Sequence, residues 1–331
     1  MTARPSDADP TVGTLSEGAV LRAIRARLGA SVAIVGPGDD AAVVAAPDGR
    51  VVATTDTLVH GPDFRLAWST AFDLGWKSAA VNLADIAAMG ARPTALFVAL
   101  AMPDDTRLSF VEGLAEGLAA ACAALAPGCA VEGGDLTVSD TLTVAVTALG
   151  SLDGREPVLR SGARPGDVVA VSGDLGRSAR GLAILFGRFR DAAGAPIPVD
   201  PAALSAAEAQ DLAAQLRPAP PIALGAIAAH VGATALMDVS DGLVLDATRM
   251  AEASGVTISL DGATIGPEPA LSGGEDHGLL ATFPADTTLP PGFRVIGRVE
   301  ASGAAPVLVD GVPPAGRGGW DPYQDWDARR G

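Results

Sequence analysis

Leu236-Met-Asp-Val-Ser-Asp-Gly-Leu-Val-Leu-Asp-Ala-Thr-Arg-Met-Ala-Glu-Ala-Ser-Gly-Val-Thr-Ile-Ser-Leu260 contains a strand, a turn, a helix and a second strand in one run. Residues 236–239 predict a short apolar strand, Ser240-Asp241-Gly242 a turn, the stretch to Ser254 a helix, and 256–260 another strand. The same alternation extends outward. Residues 167–172 read as a strand entering Gly173-Asp-Leu-Gly176 and a helix from Ser178, and 191–201 as a Pro/Ala excursion. Toward the N-terminus, 106–125 predicts an amphipathic helix with Val111, Leu114, Ala115, Leu118, Cys122 and Leu125 on one stripe. It leads to a strand end, Val131-Glu-Gly-Gly-Asp135, and a strand over 142–149. Further out lie a strand over 95–101, a helix over 70–89 carrying Lys77, Asn82 and Asp85, strands over 51–57 and 41–46, and a helix over 13–28. Such alternation predicts an α/β (α+β) fold. The polar, Gly-rich stretch 151–166 divides it into two domains, 1–150 and 151–331, in keeping with a length of 331 residues.

Composition excludes several functions. The net charge of −16 repels nucleic acid. Lys77 is the only lysine, and no glycine loop precedes it, so the Walker A phosphate loop is absent. Cys122 and Cys129 have no Cys-x-x-Cys context and read as reduced, buried residues of a cytoplasmic protein. With three scattered histidines, a His-rich zinc site is not expected. No apolar segment opens the chain as a signal peptide. Residues 218–237 are uncharged but interrupted by prolines and glycines, so a buried helix of a soluble protein is expected there.

Acidic residues recur at the ends of apolar strands beside glycines: Asp39-Asp40, Asp56, Asp85, Asp135, Asp238 with Asp241, and Glu275-Asp276. Taken singly, each is a turn former or a helix cap. Taken together, they form a site only if they converge. Two carboxylates 4 Å apart repel by about 4 kcal/mol at an effective dielectric near 20, so a cluster needs cations or protons. A donor set of hard oxygens selects Mg²⁺ or Mn²⁺, whose remaining ligands come from water and phosphate. That points to a nucleoside triphosphate.

The motifs Gly36-Pro-Gly-Asp-Asp-Ala41, Thr54-Thr-Asp-Thr57, Lys77-Ser-Ala-Ala-Val-Asn-Leu-Ala-Asp-Ile-Ala-Ala-Met-Gly90, Gly133-Gly-Asp135, Asp238-Val-Ser-Asp-Gly-Leu243 and Ser272-Gly-Gly-Glu-Asp276 occur in an order that resembles the thiamine-monophosphate kinases. These belong to the aminoimidazole-ribonucleotide-synthetase superfamily. The resemblance runs from about Gly13 to Trp326. It implies a dimer formed through the N-terminal ATP-binding domain, with a C-terminal α/β domain completing the site. It carries Asp40, Thr54, Thr55, Asp56, Asp85, Asp135, Asp238 and Asp241 over as magnesium positions. Gly134, Asp135, Arg160 and Ser240 become nucleotide contacts, and Asp63, Glu275 and Trp320 substrate contacts. Asp40, Asp135, Arg160 and Asp241 carry the catalytic roles. Two positions depart from the pattern: Asp63 stands where a His is frequent, and His277 where an aromatic is frequent.

The implied reaction is magnesium-dependent, direct in-line transfer of the ATP γ-phosphoryl to thiamine monophosphate. The acceptor is already an anion, so no general base and no phosphoenzyme are required. Arg160 can fork onto phosphate oxygens, and the Trp320 face can stack on an aminopyrimidine or a cationic thiazolium. Lys77 belongs beside a phosphate or an acid. Within the superfamily, selenophosphate synthetase needs an early cysteine and the hydrogenase-maturation member a C-terminal one; this chain has neither. Aminoimidazole-ribonucleotide synthetase and a non-catalytic nucleotide- or cation-binding protein are the alternatives.

Overall fold

The computed structural model describes residues 9–37 and 41–321. Three helices, α1 (Glu17–Arg27), α2 (Ala71–Ala88) and α3 (Leu108–Leu125), serve the first sheet. That sheet contains β1 (Val52–Val59), β2 (Arg92–Met102), β3 (Ala130–Val138) and β4 (Thr143–Ser151), in the order β1-β4-β2-β3. β4 is antiparallel to both its neighbours, whereas β3 joins β2 in parallel. A parallel neighbour requires a long crossover, which α3 supplies.

The later elements are α4 (Arg177–Arg188), α5 (Ala206–Leu216), α6 (Ile222–His230), α7 (Leu243–Ser254) and the short α8 (Gly262–Ile265). With them come β5 (Val168–Ser172), β6 (Ala235–Val239), β7 (Val256–Leu260), β8 (Gly278–Phe283), β9 (Phe293–Ala301) and β10 (Val307–Val309). The second sheet has the order β10-β7-β9-β5-β8-β6 and is antiparallel except for the β10–β7 pair.

α2 lies at the centre of the molecule. Its start is fixed by a capping box: Asp73 N–H donates to Thr70 Oγ1 at 3.1 Å, and Thr70 N–H to Asp73 Oδ2 at 3.1 Å. Its alanine-rich body is buried, with Ala79, Ala80, Leu83, Ala84, Ile86 and Ala87 fully enclosed. Glycines let neighbouring helices approach it at backbone distance. A Cβ at Gly75 would lie 2.0 Å from the Leu114 carbonyl oxygen of α3, and one at Gly225 of α6 would lie 2.1 Å from that of Ala87. α3 is the one described helix long and apolar enough to cross a membrane. Here it packs on α2 through Val111, Leu114 and Leu118.

Val144, Val146 and Ala148 turn one face of the first sheet into this core. Thr55, Thr57, Ala99 and Asp135 stand on its opposite face, exposed. The core is continuous with the second sheet through Ala170, Leu236, Leu279 and Phe283. One expectation is corrected. The stretch 41–46 is not a strand: among its described residues there is only an isolated bridge, Val35 with Val43. Within 218–237 the expected helix is α6; Gly232, at φ 89°, follows it and lets the chain turn into β6.

Candidate active site

Asp56 lies on β1, where strand alternation turns it toward α2, and Asp85 lies one turn from the end of that helix. The charge of Asp56 is felt at Asp85. Thr54 Oγ1 donates to Asp85 Oδ2 at 2.8 Å, and the backbone N–H of Asp56 donates to Asn82 Oδ1 at 3.1 Å. Asp238, on β6 of the second sheet, brings a third charge to this place. Burial, then the charges of Asp238 and Asp56, push the Asp85 carboxyl up to about 7. Burial pushes Asp56 upward as well, with Asp238 adding to the rise and His277 opposing it. Thr54, Asp56, Asp85 and Asp238 are thus brought together from both sheets.

Beside them, Lys77 of α2, only 5% exposed, forms an ion pair with Glu275. Burial pushes the Glu275 carboxyl up, but the Lys77 ammonium and then His277 outweigh it and leave the group below its ordinary range. Gln215 lies next to the same pair. Asp63 accepts the Val59 N–H at 2.7 Å and feels both Glu275 and Lys77; burial raises its carboxyl. Asp63 and Glu275 therefore share one place, with Lys77 between the acids.

The Ser240-Asp241-Gly242 turn is held from beneath by Asp246, which is fully buried. One oxygen of Asp246 accepts the backbone N–H groups of Ser240, Asp241 and Gly242 at 3.1, 3.1 and 3.2 Å. Arg249 Nη1 bridges Asp246 at 2.7 Å and Asp241 at 2.6 Å. Burial pushes Asp246 up to about 6. Two further turns dock here: Glu275 N–H donates to Ser240 O at 2.7 Å, and Trp320 N–H to Asp241 O at 2.9 Å. Trp320 remains 46% exposed, so a ring face is open to a ligand. Asp246→Ala leaves the three turn N–H groups without their acceptor and Arg249 with Asp241 alone. A loss of about 3 kcal/mol or more is expected, read as a lowered urea midpoint.

Other predicted positions lie apart. Asp40 falls outside the described residues. Thr55 faces the opposite side of the sheet, donating to Val146 O at 3.0 Å. Gly134 and Asp135 lie on β3, the far edge of the same sheet. Asp56 pairs with Val146, Val146 with Val98, and Val98 with Gly134, so three strand spacings, about 14 Å, intervene. Gly134 is required where it stands, because a Cβ there would lie 2.1 Å from Val98 O. Arg160 is exposed in the connector, and its carbonyl accepts Ser254 Oγ at 2.9 Å, at the C-terminal end of α7. Ser240 and Asp241 precede the other end, about 18 Å away along the helix.

Gly134 and Asp135 line a separate, largely apolar cavity of about 580 Å³, walled by Ile24, Leu28, Leu114 and Leu118. Glu132, buried at its edge, accepts Val32 N–H at 2.7 Å and Ala33 N–H at 3.0 Å and so holds the incoming loop.

The family described as AIR synthase related protein, N-terminal domain, matches residues 38–152. The thiamine-monophosphate kinase of Mycobacterium tuberculosis is 43% identical over 96% of this chain and 95% of its own length. That of Corynebacterium glutamicum is 40% identical over 94% of each. The chain belongs to the thiamine-monophosphate kinase family. The crystal structure of the Stenotrophomonas maltophilia thiamine-monophosphate kinase superposes with a TM-score of 0.75 at 33% identity, covering 90% of this chain and 98% of the other. AaThiL complexed with AMPPCP and TMP superposes with a TM-score of 0.70 at 31% identity, covering 96% and 98%. The Escherichia coli hydrogenase maturation protein HypE, 16% identical, shares the fold alone.

Within a thiamine-monophosphate kinase framework, sequence reasoning assigned no role to Asp246, Arg249, Asn82, Gln215 or Glu132. Asp246 was the most accessible of these: an acid four residues after Gly242, on the first turn of a helix, is placed to accept the turn's N–H groups.

Proposed function

We propose that this chain transfers the γ-phosphoryl group of ATP to thiamine monophosphate, giving thiamine diphosphate and ADP. In a chain of this family, the observation that carries the reading is the meeting of Asp56 of β1 and Asp85 of α2 with Asp238 of the second sheet, beside the Lys77–Glu275 pair. An oxygen of the acceptor phosphate bonds to the γ-phosphorus as the bond to the ADP oxygen breaks. The acceptor phosphate is already ionised, so the protein's work is alignment and charge neutralisation.

Magnesium fits the residues present. Asp85 and Asp56 carry raised carboxyls because like charges share a buried place, and hard oxygens are the donors there. Among the described residues, no three acidic or imidazole groups form a finished ligand cage. Asp56, Asp85 and Asp238 would hold the ion, with Asp40, Thr54, Thr55, Asp135 and Asp241 as the further family positions. When bound, it neutralises phosphate charge during transfer. The apolar cavity beside Gly134 and Asp135 suits the adenine ring. The Glu275 carboxylate and the open face of Trp320 suit a cationic thiazolium, and Asp63, as an acceptor, the aminopyrimidine. Arg160 is the proposed phosphate contact. The sheet division supports domains at 1–150 and 151–331, and the reaction suits the cytoplasm.

A homodimer reconciles the separated positions. β1 and β3 are the two open edges of one sheet, and Asp56 and Asp135 lie on opposite edges. Two copies set edge to edge would bring β1 of one beside β3 of the next and cover the exposed face. Asp56→Asn and Asp135→Asn are each expected to be inactive alone. Mixed and re-equilibrated, they are expected to recover about a quarter of parental activity, from hybrids with one intact shared site. No recovery would place both acids in one chain's site.

Chromatography of thiamine esters and nucleotides after incubation with ATP, Mg²⁺ and thiamine monophosphate tests the central reading. Thiamine diphosphate should appear mole for mole with ADP. Its absence, or phosphate bound covalently to the protein during turnover, would overturn direct transfer to this acceptor.

A further inference from the structure

His277 has no role in the chemistry above, yet few side chains in the cleft are held more firmly. It is 7% exposed, and its backbone N–H donates to Val239 O at 3.0 Å. Its φ of 54° is a left-handed conformation that a non-glycine residue rarely adopts. This backbone brings the ring beside Asp238, with Nδ1 3.1 Å from Oδ2. Nε2 is buried with no hydrogen-bond partner among the described residues. The ring is committed to the carboxylate through one nitrogen.

We propose that His277 is a positioning residue for Asp238: its Nδ1–H fixes the carboxylate plane against Asp56 and Asp85 and leaves the second oxygen for the metal–nucleotide complex. The inference rests on the metal-dependent reading of the site given above. A carboxylate accepts but does not donate, so the shared hydrogen is on Nδ1. The terminal torsion of Asp is broad, and the two facing carboxyls would turn Asp238 away if nothing opposed them. Both residues are set by the β6–β8 pairing, in which Asp238 lies opposite Leu279, two residues beyond His277. The carboxylate therefore sits on β6 and the donor immediately before its paired strand β8, whereas the charges they face come from β1 and α2.

Amide replacements separate positioning from simple filling of space. Asn carries an N–H close to the position of Nδ1 and tolerates φ above zero, whereas the Gln amide corresponds to Nε2. The measurement is Mn²⁺ binding in the presence of AMPPCP, read from the paramagnetic resonance of free Mn²⁺, on the full chain. H277N is expected to bind Mn²⁺ within about threefold of the parent. H277Q and H277L are expected to bind 10- to 100-fold more weakly, the usual cost of losing a group that orients a metal ligand. Metal-free melting temperatures report the backbone strain that Gln and Leu, unlike Asn, add at φ 54°; should H277L not fold, the Asn–Gln pair decides alone. Parent-like binding by H277Q, or binding by H277N as weak as by H277Q, would overturn the proposal. A parent that binds Mn²⁺ with the Asn-over-Gln order but makes no thiamine diphosphate would overturn the acceptor assignment and leave His277 in place. A parent that binds no Mn²⁺ would remove both.

Discussion

Asp85→Asn is expected to make no thiamine diphosphate, yet to unfold in its metal-free form at a higher temperature than the parent. The native Asp85 carboxyl keeps its proton up to about pH 7, whereas an unfolded carboxyl releases it near 3.8. The folded state therefore binds more protons between those values, and the parent loses stability as pH rises from about 4 through 7. Above pH 7 the full penalty is present. An amide has none, so the stability gap, read as a difference in melting temperature, should open across that window and level off above it, at roughly 2–4 kcal/mol. Asn can still accept from Thr54, so packing is preserved. With Mg²⁺ and AMPPCP the order should reverse, because the parent gains binding free energy that the variant lacks. Calorimetry at pH 5 and 8, with and without ligands, reads both effects. A variant no more stable than the parent at pH 8 without metal would show that the three acids do not repel as placed.

Lys77→Met is the second large effect. The substitution conserves shape within a slot that leaves the lysine 5% exposed, but it leaves Glu275 facing Asp63 with no cation between them. Breaking a fully buried pair costs about 3–5 kcal/mol; Glu275 is partly open to the cleft, so a loss of about 2 kcal/mol is expected. kcat/KM for thiamine monophosphate should fall by about 10²–10³, the usual effect of deleting one preorganised charged group. Glu275 is held below its ordinary range by Lys77, so its contribution is present above the unfolded value and fades as pH falls through the folded one. The stability difference between parent and variant should accordingly shrink toward acid pH. Lys77→Arg should not rescue, since a planar fork does not fit the site of a point charge. Full activity in either variant would remove Lys77 from the site.

The strand–turn–helix run around Asp238 was legible because its signals are local: an apolar run, an Asp-Gly turn and a glycine stop. So was α2, read as a helix over 70–89. The stretch 41–46 misled because alanine and valine suit a strand only where another strand is there to pair, and pairing is not written locally. Lys77 and Glu275 are 198 positions apart, and nothing near either one names the other. The separation of Asp56 from Asp135 follows from the order β1-β4-β2-β3, a property of pairing and not of motif spacing. Arg160 and the Ser240 turn illustrate the same limit: α7 keeps them a helix length apart.

The glycine contacts along α2 govern how far the cleft can deform. With Gly75 against α3 and Gly225 against α6 at backbone distance, α2 has no slack in which to slide or tilt. Lys77 and Asp85 ride on that beam, so their spacing from Asp238 does not vary by swinging one half of the molecule away from the other.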